Sequence, residues 1–202
     1  MAAAAEKAAQ FTRRVRPSTL ARHAAPVERD ESDLSAPPEF PEEQPVPTAA
    51  VAYGNWWHDL MEDTPWAAGC DAWAKFWETR LGAALEPGRA RAEIAQLLRS
   101  PLAARLATPG LEFAVELPFL WAEPDSARAF DGCVDLAAWG PKNSRWLVID
   151  WKTDRVDGDG AAELRRRYGP QIEIYARALA AMTDAPVEAY LYGTRAGVLV
   201  KV

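Results

Sequence analysis

Cysteine and histidine are scarce in this chain, with two of each among 202 residues. Cys70 and Cys133 lie far apart and form no CxxC pair, which excludes a four-cysteine zinc or iron–sulfur site within the chain. Two isolated thiols are expected to be buried in a reducing cytosol, so a cytoplasmic location is the expectation. No run is long and apolar enough to span a membrane, and the N-terminus lacks the apolar core of a signal peptide. The twin Arg13-Arg14 is followed by no hydrophobic run, and an organellar transit peptide is the minor alternative for this Ala- and Arg-rich start. A GxxxxGK phosphate loop is also missing, so the chain by itself is not an ATPase. Positive charge is in deficit, with a net charge of −6. A nucleic-acid binder ordinarily shows a basic patch, so composition weighs against such a partner unless motifs outweigh it. Seven carboxylates against Arg29 between residues 24 and 47 account for the whole excess.

What is present is a globular composition, nearly half apolar and with nine tryptophans. Residues 1–50 differ from the rest. A basic stretch (Lys7, Arg13, Arg14, Arg16, Arg22) gives way to an acidic one rich in proline, including Pro37, Pro38, Pro41, Pro45 and Pro47. Charge and proline build no core, so residues 1–50 read as an extended tether, and a tether at the start of a chain implies a domain before it. Residues 51–202 read as one packed domain. Gly54–Glu62 opens as a helix, and Trp66–Leu81 continues helical with Trp66, Trp73, Phe76 and Trp77 near helical spacing. Core packing is the favoured reading of that aromatic stripe. Pro87-Gly88 breaks it, and Arg89–Arg99 forms another helix. The period then changes to strands over Leu111–Phe119, Arg128–Trp139 and Arg145–Trp151, with a turn at Gly140–Ser144. A long helix over Ala161–Met182 and closing strands at Val187–Tyr192 and Val198–Val202 complete the order. The expected fold class is α/β, with a central mixed sheet flanked by helices and preceded by a helical segment.

The chemistry concentrates in Leu147-Val148-Ile149-Asp150-Trp151-Lys152-Thr153. Strand side chains alternate, so Asp150 and Lys152 share a face, while Leu147, Ile149 and Trp151 take the opposite, buried one. A turn centred between Lys142 and Asn143 sets Trp139 opposite Trp146 and Asp135 opposite Asp150. Like charges directly across a sheet are destabilising unless a cation or a proton lies between them. Two carboxylates converging with a lysine describe a Mg²⁺ site beside a phosphate. Alone, Asp135 is an ordinary turn former, and Asp150 with Lys152 an ordinary surface ion pair. Their coincidence in one register favours the functional reading.

These residues resemble the PD-(D/E)XK nuclease core, and more closely the RecB-like and AddA-like nuclease domains at the C-terminal ends of recombination helicases. Asp135 followed by Asp150-Trp151-Lys152 is similar to the family's core motif. Gly54-Asn55-Trp56-Trp57-His58 is similar to its Gly-x-x-x-His element, Glu116-Leu117-Pro118-Phe119 to its Glu-x-Pro-Phe strand, and Gly132-Cys133-Val134-Asp135 to its Gly-x-x-Asp strand. Gln171 and Tyr175 resemble its Gln-x-x-x-Tyr helix, and Ala189-Tyr190-Leu191-Tyr192 its closing strand. Arg16-Pro17-Ser18-Thr19-Leu20 resembles the segment joining helicase to nuclease in AddA-like chains. The chain lacks the four cysteines of AddB-like nucleases, which favours the AddA-like side.

The resemblance implies a restriction-endonuclease-like core and a Mg²⁺-dependent deoxyribonuclease, with Mn²⁺ as a second candidate cation because of the histidine. It implies that His58, Asp135, Asp150 and the Trp151 carbonyl are metal ligands, with Asp135, Asp150 and Lys152 catalytic. Lys152 orients or helps deprotonate the attacking water and offsets charge on the phosphate. Gln171 and Tyr175 contact DNA or brace the site, and Glu116 lies behind the ligands. From the residues alone, His58 beside two tryptophans also reads as a core histidine, and Glu62, one turn on, as a competing ligand or a solvated acid. Arg165, Arg166 and Arg167 read equally as phosphate contacts or a solvated run. The implied partners are DNA, a helicase domain of the same longer chain and a second helicase–nuclease subunit, in exonucleolytic end processing during double-strand-break repair. The alternatives are a catalytically silent domain that binds DNA or scaffolds a partner, and a stand-alone nuclease of immunity or phage biology.

Overall fold

Thr48 starts the first helix by accepting a hydrogen bond from the Val51 amide at 3.3 Å, satisfying one of the orphan donors of the opening turn. Helix α1 runs Ala49–Glu62 and buries Tyr53, Trp57, Leu60 and Met61 on one side. The computed structural model describes residues 13–15 and 48–202, apart from 125, 127, 157 and 158. Arg16–Leu20 and the rest of the expected tether up to residue 47 lie outside the described residues.

The single helix expected over Trp66–Leu81 is divided. Trp66–Ala68 is one 3₁₀ turn, Gly69 takes φ 82°, and α2 begins afresh at Cys70–Arg80. That backbone conformation favours glycine, and it lets Trp66 turn inward beside Trp73 and Trp77. Pro87 opens the next helix rather than merely ending the previous one. It occupies the first turn of α3, Pro87–Leu98, where a missing amide proton costs nothing. A short helix that the sequence pattern did not separate, α4 at Pro101–Leu106, is capped by Ser100, whose hydroxyl accepts from the Ala103 amide at 3.2 Å.

The strands are β1 (Arg13–Val15), β2 (Glu112–Ala122), β3 (Arg128–Gly140), β4 (Arg145–Lys152), β5 (Val187–Gly193) and β6 (Val198–Lys201), with helix α5 (Gly160–Thr183) between β4 and β5. They form one mixed sheet in which β3, β4, β5 and β6 follow in order and β2 pairs the other edge of β3. The β4–β5 pair is parallel, with α5 as its crossover. Residues 13–15, placed in the tether by composition, pair in parallel with Arg128–Phe130, along the part of β3 that extends past β4. Trp139 lies opposite Trp146, as the turn geometry required.

Helices α1 to α4 cover one face of the sheet, and α5 covers the other. Leu136, Leu147, Ile149, Trp151, Tyr190 and Tyr192 pack with the tryptophans of the helical layer, whereas Val148, Ala189 and Leu191 pack with Leu164, Ile172, Tyr175 and Leu179 of α5. Both faces of β4 are therefore buried, not one. The tryptophan stripe is core: Trp66 stacks on Trp151 at 6.0 Å and 8°, and packs edge-on to Trp73 at 5.0 Å. Cys70 and Cys133 are free and only half-buried, not the fully buried thiols expected. No helix among the described residues is long and apolar enough to cross a membrane.

Candidate active site

Two strands change sides at one rung. On β2, Phe113 and Val115 pack with the helical layer, but Leu117, Phe119 and Trp121 pack with α5. On β3, Leu136 and Ala138 pack with the helical layer, but Val134 and Phe130 with α5. The ladder pairs Val115 with Leu136 and Leu117 with Val134, so the reversal falls where Glu116 faces Asp135. Glu116 has φ 43°, a left-handed conformation costing about 1–2 kcal/mol for a residue with a Cβ. Gly132 serves the same bend. A Cβ there would approach Phe119 Cε1 to 2.9 Å and Tyr175 Cε1 to 3.3 Å, so only glycine lets these rings close over β3.

The β3–β4 ladder ends at the Leu136–Ile149 pair, one residue short of Asp135 and Asp150. Beyond it the Asp135 carboxylate accepts from the Trp151 amide at 2.8 Å. His58 reaches this point from α1, with Nδ1 3.6 Å from Asp135 Oδ2. The approach of α1 is close because it presents Gly54 to the segment after β4; a Cβ on Gly54 would lie 3.2 Å from Thr153 Oγ1. His58, Glu116 and Asp135 each offer a donor atom within 4.8 Å of the other two.

Asp150 is 1% exposed, and its Oδ2 lies 2.6 Å from Lys152 Nζ. The contact is a charge pair poorly aligned as a hydrogen bond, since Oδ2 finds no well-directed donor. Burial, and then the charge of Asp150, holds the Asp135 carboxyl well above the usual carboxylate range. Burial alone would lower Lys152, but Asp150 and Asp135 outweigh it and the amine is held protonated. Burial, and then Lys152, lowers His58, leaving a neutral imidazole able to act as a ligand. Burial pushes the neighbouring Cys133 thiol up to about 12, so it is not a nucleophile.

From α5, Gln171 Nε2 donates to Tyr175 Oη at 2.7 Å, and Tyr175 packs edge-on to Phe119 at 5.5 Å. Both residues are buried, so they brace β2 and β3 from below. Tyr168, one turn earlier, was missed in the sequence. Lys152 Nζ lies 4.6 Å from its ring centroid, and its hydroxyl donates to Asp154 Oδ2 at 2.8 Å. Arg166 and Arg167 pair with Glu163, and Arg165 donates to the Lys201 carbonyl, so none of the three points to the acidic cluster.

The structure thus brings His58, Glu116, Asp135, Asp150 and Lys152 to one end of the sheet. The grouping differs from the expected ligand set in one member: Glu116 stands with His58 and Asp135, while Asp150 lies deeper against Lys152. Converging carboxylates, one of them raised in pKa by burial and by its neighbour, beside an imidazole lowered in pKa, are a donor set that fits a divalent cation. The chain also has relatives. Over 62 residues the chain is 42% identical to an ATP-dependent helicase/nuclease subunit of Carboxydothermus hydrogenoformans, a stretch covering 30% of this chain and 5% of that protein. The PD-(D/E)XK nuclease superfamily matches residues 31–200, which takes in β2 to β5, nearly all of β6, both helical layers and every residue of the cluster. With that match extending over most of its length, the chain belongs to the PD-(D/E)XK nuclease superfamily.

Proposed function

We propose that this domain is a divalent-metal-dependent deoxyribonuclease and the C-terminal part of an AddA- or RecB-like helicase–nuclease. The observation that carries the reading is the convergence of His58, Glu116 and Asp135 beside the Asp150–Lys152 pair. His58, Glu116 and Asp135 would hold Mg²⁺ or Mn²⁺, with Asp150 and the Trp151 carbonyl as further oxygen donors. A cation held there would offset negative charge gathering on a phosphate and would make a bound water more acidic. Lys152, held protonated, offers its charge to a phosphate oxygen and orients the attacking water toward the phosphorus. Gln171 and Tyr175 support the strands that carry the acids.

The partners in this reading are DNA, a helicase domain of the same longer chain and a second helicase–nuclease subunit, and the setting is exonucleolytic end processing in double-strand-break repair in the cytoplasm. The partial likeness to a helicase/nuclease protein supports it. Cleavage of labelled linear and circular DNA in Mg²⁺, Mn²⁺ or EDTA tests it, with Lys152→Ala as control. Metal-dependent cutting of linear DNA that disappears in the variant is expected. Equal cutting of circles would remove the requirement for an end, and cutting that persists in EDTA would sink the mechanism.

A further inference from the structure

Behind the site, on the helical side of the sheet, Glu93 of α3 is 2% exposed. Its Oε2 accepts from the Tyr53 hydroxyl at 3.0 Å and the Thr194 hydroxyl at 2.6 Å, while Oε1 takes Arg89 Nε at 2.6 Å. Each of these three donors belongs to, or grips, a segment that carries site chemistry. Tyr53 is on α1, the helix of His58. Arg89 also donates to the Thr153 carbonyl at 2.8 Å, with its guanidinium 3.7 Å from the Tyr53 ring centroid. The Thr194 amide donates to the Lys152 carbonyl at 2.9 Å. One buried carboxylate therefore ties the end of β4, the end of β5 and α1 to each other.

A hydrophobic side chain would fill the same space, and replacing buried ion pairs by packed apolar groups is often neutral or stabilising. The tryptophan core beside Glu93 shows that this layer is held well without charge. A carboxylate adds direction, fixing donors at set distances and angles. The backbone carbonyls of Lys152 and Thr153 are held by groups that Glu93 itself orients, so the point at which Lys152 leaves the strand is set relative to α1.

We propose that Glu93, acting through Arg89, Thr194 and Tyr53, is a positioning residue that holds the His58 helix in register with the Lys152 strand end. The inference rests on the nuclease reading above. It predicts that loosening Glu93 separates the imidazole from Glu116 and Asp135 and moves the amine away from the scissile phosphate.

The test compares the parent chain, Glu93→Gln and Lys152→Ala by calorimetric titration with Mn²⁺ and by cleavage kinetics on linear DNA. Outer-shell supports of metal sites typically contribute 10- to 100-fold. For Glu93→Gln, a loss of about tenfold or more in Mn²⁺ affinity is expected, with a similar loss in kcat at saturating Mn²⁺ and an unchanged KM for DNA. Near-UV circular dichroism should match the parent, which separates positioning from unfolding. If Glu93→Gln does not fold, Tyr53→Phe replaces it, since it removes one hydroxyl and keeps the ring under Arg89. Its expected effect is a weaker Mn²⁺ affinity with parent-like circular dichroism. Parent-like Mn²⁺ affinity and kcat in the folded variant overturn the proposal while leaving the nuclease reading intact. A parent that neither binds Mn²⁺ nor cuts DNA overturns both.

Discussion

The Asp135 carboxylate takes the amide proton of Trp151 at 2.8 Å, just where backbone pairing between β3 and β4 stops. A side chain acts as acceptor past the end of the ladder, so the strands part without leaving that amide orphaned. Burial, and then the neighbouring Asp150, raises the pKa of the same carboxylate well above the usual range.

Asp135→Asn removes one of these roles and keeps the other, because an amide oxygen still accepts from Trp151. The metal-free protein should be at least as stable as the parent, since an amide at this buried position needs no proton to stay neutral beside Asp150. Cleavage should fall by on the order of 10²-fold or more, the usual loss when transition-state charge is left uncompensated. Urea denaturation in EDTA and cleavage in Mn²⁺ measure the two quantities, and a variant that keeps parental cleavage would remove Asp135 from the machinery.

Gly132→Ala pushes a methyl group into Phe119 and Tyr175. Overpacking of this kind destabilises by about 1–3 kcal/mol. Since the residue lies three positions before Asp135 at the bend, cleavage per folded molecule should drop as well. A thermal melt indistinguishable from the parent would show that the two rings yield easily.

Tyr168 separates two contributions to Lys152. Tyr168→Phe keeps the ring face under the amine and loses only the hydroxyl's contacts with Asp154 and Arg167, so cleavage should stay near the parent. Tyr168→Leu removes a cation–π contact of about 0.5–2 kcal/mol. If that holds the amine in its reactive position, kcat falls roughly two- to thirtyfold. Equal rates for the two variants would leave the ring without a part in catalysis.

Glu188, on β5, contributes to stability against acid. It accepts from Tyr190 at 2.7 Å and pairs with Arg105 at 3.1 Å, with Arg145 and with Lys201. The Tyr190 hydrogen bond foremost, with the nearby cations, holds its pKa below the ordinary value. A carboxyl with a depressed folded pKa contributes stability that is present above the unfolded pKa, about 4.3, and lost as pH falls through the folded one. The urea midpoint of the parent should therefore drop on acidification below about pH 4.3, and that of Glu188→Gln should drop less. Parallel declines would assign the acid sensitivity to other groups.

Much of this was legible in the sequence for a physical reason. Local rules decide local features: alternation set the strands, the turn at Gly140–Ser144 set the register of Trp139 with Trp146, and together they brought Asp135 to Asp150. Pro87 has a local role, at the first turn of α3, and its sequence reads equally as a breaker. Gly69 and Arg13–Val15 are less legible because their roles depend on the tryptophan core and on the edge of β3 past β4. The reversal at Glu116 was not legible, because alternation alone cannot foresee a strand that turns over at a single residue. Tyr168 carried a helical-spacing signal, lying three residues before Gln171 on the same face, which could have found it. Glu93 carried none, since a lone acid in an amphipathic helix looks solvated until its fold partners arrive.

A consequence follows for the acids at the rung of Glu116 and Asp135. Odd positions of β2 face the helical layer before Glu116 and α5 after it, and the even positions of β3 change likewise around Asp135. The two acids therefore stand at the crossover between the two hydrophobic layers, where they meet His58 instead of a core.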